Sequence, residues 1–338
     1  MKIDLVYLWV DGSDEKWLAK KNAALQSLGR TLSKTAVSAK RWNDHDELKY
    51  SLRSVEKFIP WINHIFIVTD EQTPKWLDLQ NPKITIIDHK KIIPEKYLPT
   101  FNSSCIELFL HKIPNLSEHF LFANDDMFFG KPLTPAFFFD EKENPIVQIK
   151  ERNQRNKFKK PSVKTVKNRL GQRFMHNVIF FIFQKTGKKY NVTFKHAIEP
   201  MRKSFLKENF ERYEEEFLAT TATTFRGSEN IQRLVFSLLD DLQGRNTLVL
   251  NWRTGNRRIV YNLQKDSVFR RIFREKIWLF ATVFGFVKYD CFDKLWQTIK
   301  FLKIYRPTLF TINDTPHSFA DKAKFIDETF PEKSTFEL

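Results

Sequence analysis

The chain has 338 residues, of which 42% are hydrophobic, so it is long enough to bury the core of one large domain or two modest ones. Lysine and arginine exceed aspartate and glutamate by 56 − 40 = 16, which favours an anionic partner: a phosphate-bearing substrate, an acidic membrane surface or nucleic acid. Two cysteines exclude a disulfide framework, and the N-terminus lacks a signal-peptide layout, so we expect a cytoplasmic protein.

The first elements alternate between strand and helix. Ile3–Val10 reads as a buried strand, and it ends in the turn Asp11–Asp14, whose glycine permits a positive φ. A helix is predicted from Glu15 toward Gly29, which would serve as its C-cap. Asp44 and Glu47 have the spacing of a capping box for a second helix.

Further strands follow at 65–69 and 83–88, and a helix over 103–113 leads into a strand before Asn124. This alternation predicts an α/β fold with a doubly wound, mostly parallel sheet flanked by helices, which we assign to residues 1–150. Ligands bind such sheets at the carboxyl ends of the strands. Acidic residues fall just after the predicted strands at Asp11, Asp14, Asp70, Asp125 and Asp126.

The most informative stretch is Asn124-Asp125-Asp126, which lies between two apolar runs. Two adjacent carboxylates in such a setting are costly unless something compensates them. A Mg²⁺ or Mn²⁺ ion that holds a diphosphate would compensate them, since these cations prefer oxygen ligands. The alternative is a plain Asn-Asp turn between two strands.

The second half, residues 151–338, is predicted to be largely helical and to complete the active site on the acceptor side. Its basic segment 151–167 reads as a solvated loop or as a lid over an anionic substrate. Helices are predicted at 174–183, 204–217 and 228–242, with a hairpin at 248–261. The apolar stretch 277–287 is too short to span a membrane and reads as a core helix, or as a basic aromatic helix lying on an anionic leaflet.

Several side chains in the chain suit phosphoryl chemistry, which needs cations on phosphate oxygens, a positioned nucleophile and usually a base. Glu107 is an acid on an otherwise apolar helix. His196 and Arg226 are basic candidates, although a lone histidine is more often structural. Asn313 and Asp314 follow another apolar run and repeat the Asn-Asp pattern. The sequence contains no Walker loop, GxGxxG, paired CxxC, HExxH or GxSxG motif.

These pieces resemble the Stealth family of hexose-1-phosphoryltransferases, which includes bacterial capsular polysaccharide phosphotransferases and the catalytic subunit of the eukaryotic N-acetylglucosamine-1-phosphotransferase. The family has four separated blocks. The first is similar to Ile3–Asp14, and the second and most specific begins at Arg41–Ser54 and ends at Asn124–Gly130. The third block is similar to the segment around His196 and to Phe225–Glu229. The fourth block is similar to Asn313-Asp314.

The resemblance implies a nucleotide-binding sheet like that of GT-A glycosyltransferases, with Mg²⁺ or Mn²⁺ as cofactor. It implies three groups of site residues. The catalytic group is Glu107, Asp126, His196 and Arg226. The donor-binding group is Asp11, Gly12, Asp14, Arg53, Asn124 and Asp125. The metal ligands are Asp126, Asn313 and Asp314.

The activity that the resemblance implies is transfer of hexose-1-phosphate, with N-acetylhexosamine favoured, from a UDP-sugar to a hydroxyl of a growing capsular glycan, with release of UMP. Two alternatives stay open from the residues alone. One is a conventional glycosyltransferase that releases UDP, and the other is a non-enzymatic basic protein that binds polyanions. The partners expected are the donor, the glycan and peripherally the inner face of the membrane; nucleic acid is not expected.

Overall fold

A computed structural model describes residues 1–28, 42–151, 170–194, 198–250, 289–292 and 308–312, together with residue 324 and residues 326–338. Several predicted features lie outside these residues: Gly29, the basic segment from Arg152 to Lys167, His196, the distal part of the predicted hairpin, the apolar stretch 277–287, Asn313 and Asp314.

Strands and helices alternate through most of the described chain. The strands are β1 Ile3–Leu8, β2 Ile65–Thr69, β3 Ile84–Asp88, β4 His119–Asn124, β5 Met127–Phe129, β6 Ile146–Glu151, β7 Val192–Phe194, β8 Glu199–Arg202, β9 Thr247–Leu250, β10 Tyr289–Phe292 and β11 Leu309–Ile312. The helices are α1 Glu15–Ser27, α2 Glu47–Phe58, α3 His89–Ile92, α4 Ser103–Leu108, α5 Leu170–Thr186, α6 Lys203–Arg212, α7 Glu214–Thr221 and α8 Leu234–Leu242.

The central sheet has five strands in the order β3-β2-β1-β4-β8. The first four are parallel, and β8 runs antiparallel to β4 at the edge. Helices cover both faces, so β1, β2 and β4 are buried almost throughout, as expected of parallel strands. The predicted α/β class with a mostly parallel sheet is confirmed. Leu8 pairs with Asn124, so the carboxyl ends of β1 and β4 lie side by side.

Two smaller sheets extend this core. In one, β6 pairs antiparallel with β7 and parallel with β9. In the other, β5 and β10 flank β11, with β5 antiparallel to it. The chain therefore turns through Asp125 and Asp126 as it passes from the central sheet into the sheet of β5.

The capping box predicted at Asp44 and Glu47 is wrong, because α2 begins at Glu47 itself and its cap residue Asp46 has φ of 62° with no side-chain cap. The two acids stabilise the preceding turn instead. Asp44 accepts a hydrogen bond from the Asp46 amide at 3.2 Å, and Glu47 accepts one from the His45 amide at 2.6 Å.

The predicted helices of the second half are present with different bounds. The first, α5, is longer at both ends than predicted. The second is broken at Tyr213 into α6 and α7. The third starts six residues late, since the Asn230 side chain accepts the Gly227 amide at 2.7 Å and closes a turn there. Where a hairpin was predicted, β9 pairs parallel with β6. Within the described ranges, no helix combines the length and apolar character needed to cross a membrane.

The C-terminal segment 331–338 docks beside α2. Leu77 and Glu337 form an antiparallel bridge, and the Leu338 amide donates to the Trp76 carbonyl at 2.9 Å. Arg53 of α2 binds both Glu337 oxygens, through Nε and Nη2 at 2.8 Å each, and it also donates to the Phe330 carbonyl at 2.7 Å. Only 11% of the Arg53 side chain and 3% of the Glu337 side chain are exposed, so this bidentate pair is nearly excluded from water.

We expect Arg53→Met and Glu337→Gln each to lower the free energy of unfolding by about 2–4 kcal/mol, because each leaves a buried charge without its partner. The double variant should lose far less than the sum, with a coupling energy above about 1 kcal/mol. Urea unfolding of the four proteins measures both quantities. The exposed α6 pair Lys207–Glu211, with side chains 59% and 60% exposed, is the control and should couple by less than about 0.5 kcal/mol. If the losses of free energy in Arg53→Met and Glu337→Gln simply add in the double variant, Arg53 and Glu337 do not stabilise the fold as an ion pair.

Candidate active site

The loop after β1 is fixed by its own polar side chains. Asp11 accepts the Ser13 amide at 2.8 Å and the Ser13 hydroxyl at 2.6 Å, and Asp14 caps α1 by accepting the Trp17 amide at 2.8 Å. Gln72, beyond β2, holds the Asp11 backbone with two hydrogen bonds, at 3.1 and 2.8 Å. The loop is therefore rigid at the sheet edge where ligands of α/β proteins bind.

Gly12 is required at its position by the close approach of Trp42. Its amide donates to the Trp42 carbonyl at 2.6 Å, and a Cβ on Gly12 would lie 2.4 Å from that oxygen. The contact joins the first loop to the segment that leads into α2. Trp42 also belongs to an aromatic cluster behind the loop, whose buried members are Trp17, Trp42, Phe101 and Phe225.

The acid turn, Asn124-Asp125-Asp126, lies beside this loop at the end of β4. Asn124 is the last residue of β4, and Asp125 and Asp126 form the turn to β5. All three residues are half-buried. Helix α2 packs against β5 just beyond it, with the Ser51 hydroxyl donating to the Met127 carbonyl at 2.5 Å. This packing brings the start of α2 toward the turn.

Four carboxylates crowd there: Asp44, Glu47, Asp125 and Asp126. Burial and the neighbouring Asp126, Glu47 and Asp44 raise the pKa of Asp125 well above its usual value. Burial and Glu47 raise the pKa of Asp44 to about 7, although the indole of Trp9 opposes the shift. Burial of the carboxylates and repulsion between their like charges thus both raise pKa values at this edge of the sheet.

The chemistry of this group fits a hard cation such as Mg²⁺, because all four side chains offer carboxylate oxygens whose repulsion a cation would relieve. Among the described residues, no three acidic, histidine or cysteine side chains are arranged to hold a metal ion. The chain nevertheless returns to this point, since the Ile312 amide donates to the Asp126 carbonyl at 3.1 Å, one residue before Asn313.

A second charged group lies on the helical side. Arg233 contacts Glu107 through Nη1 at 2.8 Å and Glu199 through Nε at 3.3 Å. Burial opposes its charge, but Glu199 and Glu107 outweigh that effect and raise the pKa of Arg233. Arg226 is next to this pair and donates to the Ser103 hydroxyl at the start of α4. Burial and the neighbouring Arg233 lower the pKa of Arg226, while Glu107 opposes the shift.

A buried amide network holds the Arg226 segment against α4. Asn102 caps α4, and its amide group donates to the Asn230 side chain at 3.0 Å and to the Thr223 hydroxyl at 3.0 Å. The Phe101 amide donates to the Thr224 carbonyl at 2.7 Å. These contacts explain how Arg226, remote in sequence, reaches the Glu107 helix.

The structure brings most predicted site residues to one edge of the sheet. Asp11, Gly12, Asp14, Asn124, Asp125 and Asp126 lie at the ends of β1 and β4, and Glu107 and Arg226 form the neighbouring charged group. Arg53 is not brought to either group, since its guanidinium is held by Glu337 and Phe330. His196, Asn313 and Asp314 lie outside the described residues.

Sequence reasoning missed four residues of these groups: Asp44, Glu47, Glu199 and Arg233. The first two were assigned to a helix cap, although three acids in the four positions 44–47 are a signal of their own. Arg233 was placed inside a helix pattern, where an arginine reads as a solvated side chain. Nothing local in the sequence marks it as buried, because its partners come from distant elements.

Two family models match the part of the chain that contains the Asp11–Asp14 loop and the acid turn. Residues 1–29 match Stealth protein conserved region 1, and residues 41–147 match Stealth protein conserved region 2. The chain thus carries two of the conserved regions that define Stealth proteins. The two matched regions contain the Asp11–Asp14 loop, the acids of the crowded group and Glu107.

Two curated relatives are phosphotransferases. The capsular polysaccharide phosphotransferase cps1A of Actinobacillus pleuropneumoniae is 38% identical over 234 residues, which cover 68% of this chain and 62% of the relative. The exopolysaccharide phosphotransferase cps2G of Lactiplantibacillus plantarum is 53% identical over 139 residues, which cover 41% of this chain and 40% of the relative. The chain thus spans less than two thirds of the length of these relatives.

A distant structural likeness exists to galactosyltransferase LgtC in complex with donor and acceptor sugar analogs. It covers 98% of this chain and 96% of that one, at 12% identity and a TM-score of 0.44. The fold class rests on the strand order of the described sheet.

We expect Asp44→Asn to raise the free energy of unfolding at pH 8 by about 1–3 kcal/mol and to leave it unchanged at pH 4. The folded pKa of Asp44 is about 7, above the unfolded value of about 3.9, so the native state binds the extra proton between these values. Wild-type stability therefore falls as the pH rises through this window. Asparagine can still accept the Asp46 amide but carries no charge.

Thermal and urea unfolding at pH 4, 6 and 8 measure this effect. Asp78→Asn is the matched control, since Asp78 likewise accepts an amide two residues on, from Gln80 at 2.9 Å. The control should show no such pH-dependent gain. An equal effect of Asp44→Asn at pH 4 and pH 8 would show that the charge of Asp44 is not the cause.

Proposed function

We propose that the chain is a sugar-1-phosphate transferase that moves hexose-1-phosphate from a UDP-sugar to a hydroxyl of a growing capsular glycan and releases UMP. One observation carries the proposal. Carboxylates of Stealth conserved regions 1 and 2 meet at the carboxyl ends of β1 and β4, and helix α4 carries Glu107 and binds Arg226 through Ser103. Acids for a cation and arginines for phosphate are the requirements of phosphoryl transfer.

On the donor side, the rigid Asp11–Asp14 loop would contact the nucleotide, and the acid turn would face the diphosphate. Asn124 and Asp125 would line that side, and Asp126 would ligate the cation together with Asn313 and Asp314. A bound Mg²⁺ or Mn²⁺ supplies charge neutralisation of the diphosphate. The crowded carboxylates Asp44 and Glu47 would orient these ligands by hydrogen bonding and charge.

In the transfer step, the acceptor oxygen forms a bond to the β-phosphorus while the bond from that phosphorus to the bridging oxygen breaks. The electron pair leaves with UMP, and the product is a sugar–phosphate–sugar diester. Arg226 would stabilise the charge on the equatorial phosphate oxygens. The hydroxyl proton goes to one of three candidate bases: Glu107, Asp126 or His196.

The nucleotide released by purified protein tests this function. We expect UMP, formed only with a UDP-sugar, a divalent cation and a capsule-like acceptor, when UMP and UDP are resolved by chromatography. A chelator should stop the release, and excess Mg²⁺ should restore it. Release of UDP would instead mean cleavage at the anomeric carbon, as in a conventional glycosyltransferase, and would reject the proposal.

The acid turn is tested separately by Asp126→Asn, which keeps the shape and removes the charge. We expect UMP release to fall at least about 100-fold while the free energy of unfolding is not lowered, because the loss concerns transition-state charge and the variant relieves like-charge repulsion. Binding of Mn²⁺, followed by electron paramagnetic resonance, should weaken in parallel. Asp78→Asn should match wild type in both assays. Near-normal turnover in folded Asp126→Asn would remove Asp126 from the site.

A further inference from the structure

Arg233 connects three elements around the candidate site. Its guanidinium binds Glu107 of α4 and Glu199 of β8, and it lies 3.9 Å from the centre of the Phe122 ring of β4. Phe122 and Glu199 are paired across β4 and β8, so the stacked ring and the second carboxylate come from adjacent positions. We call the contacts of Arg233 with Glu107 and Glu199 the bridge. Phe122 is two residues before Asn124, so the bridge packs against the strand that leads into the acid turn.

This bridge is closed to water. The exposed fractions of Glu107, Glu199 and Arg233 are 5%, 5% and 8%. Buried charges of this kind depend on one another, because removing one partner leaves an uncompensated charge. The planar guanidinium can contact two carboxylates from different edges, whereas the single ammonium of a lysine cannot match that geometry. The position of Glu107 therefore depends on Arg233.

The position of Glu107 matters for the proposed chemistry because Arg226 lies beside it. It is the next guanidinium beside Glu107, and its hydrogen bond goes to the neutral hydroxyl of Ser103. With Glu107 bound to Arg233, the Arg226 guanidinium faces a neutral partner. Without Arg233, the Glu107 carboxylate would be drawn to the Arg226 guanidinium, which is anchored at Ser103, one helical turn away on the same helix.

We propose that Arg233 is a positioning residue for phosphoryl transfer, which holds Glu107 away from a direct ion pair with Arg226 and so keeps Arg226 available for phosphate oxygens. The proposal rests on the proposed function for the identity of the anion. The bridge itself stands on the contacts of Arg233 with α4, β8 and β4. Arg233 need not touch the substrate to have this effect.

The test compares Arg233→Met and Arg233→Lys with wild type in steady-state nucleotide release. We expect Arg233→Met to lower kcat about 100-fold, as a displaced catalytic group does, with the donor KM changed less than about fivefold. Arg233→Lys should recover part of kcat, since it restores charge without the fork. Rates are expressed per folded molecule, with the folded fraction taken from unfolding curves.

The chain contains a matched control in Arg245. Its guanidinium also joins two acids, Glu208 and Asp240, and lies 4.2 Å from the ring centre of Phe205. Arg245→Met should also destabilise the fold, though less, because its side chain and that of Glu208 are 19% and 42% exposed, and it should leave kcat per folded molecule within about twofold. If Arg233→Met behaves like Arg245→Met, the role of Arg233 is purely structural and the proposal is overturned.

Failure of this inference differs from failure of the proposed function. The wild-type product, UMP or UDP, decides the function alone, and the ratio of variant to wild-type rate decides the role of Arg233 for either product. If wild type releases neither nucleotide, calorimetric binding of UDP decides. In that case, UDP binding by Arg233→Met that is weaker than binding by Arg245→Met, within the fivefold limit set for the KM, supports the role in presenting Arg226, and equal binding overturns it.

Discussion

Like-charge crowding at the carboxyl ends of β1 and β4 is the constraint to which the rest of the site responds. Asp125 and Asp126 occupy a turn too short to separate them, and the start of α2 brings Asp44 and Glu47 toward it. Burial first, and the neighbouring carboxylates second, raise the pKa values of Asp44 and Asp125. A fold keeps such an arrangement when a ligand compensates it, because uncompensated carboxylates destabilise the native state.

Helix α2 links this edge to the stability of the whole domain. One end contributes Glu47 to the carboxylate group, its middle binds β5 through Ser51, and its outer face holds the C-terminal segment through Arg53. The position of the acids is therefore set by packing over the full length of the helix. This explains why a residue such as Arg53 can lie in the most specific Stealth block while its contacts are structural.

Much of the first half could be predicted from sequence. The strand at 65–69 was predicted with its observed bounds, and the acid turn was placed at the end of the correct strand, since short apolar runs ending in Asp or Gly are a local signal. The start of α2 was misplaced because Asp44 and Glu47 form the spacing of a cap yet bond to a turn. The Glu107–Arg233–Glu199 bridge was not predictable locally, since its members are brought together only by the tertiary fold.

The two charged groups differ in how their charge is compensated, and this difference divides their roles. Around Arg233 the protein supplies both signs, since two guanidinium groups, Arg233 and Arg226, lie with the two carboxylates Glu107 and Glu199. At the acid turn four carboxylates lie close together, and in the proposed function a bound cation would balance them. The proposed function would use both groups: the acidic group would bind the cation, and the frame around Arg233 would fix Arg226 for the phosphates. Because the acid turn follows β4 and Phe122 of the same strand supports Arg233, one strand sets the spacing between the two groups.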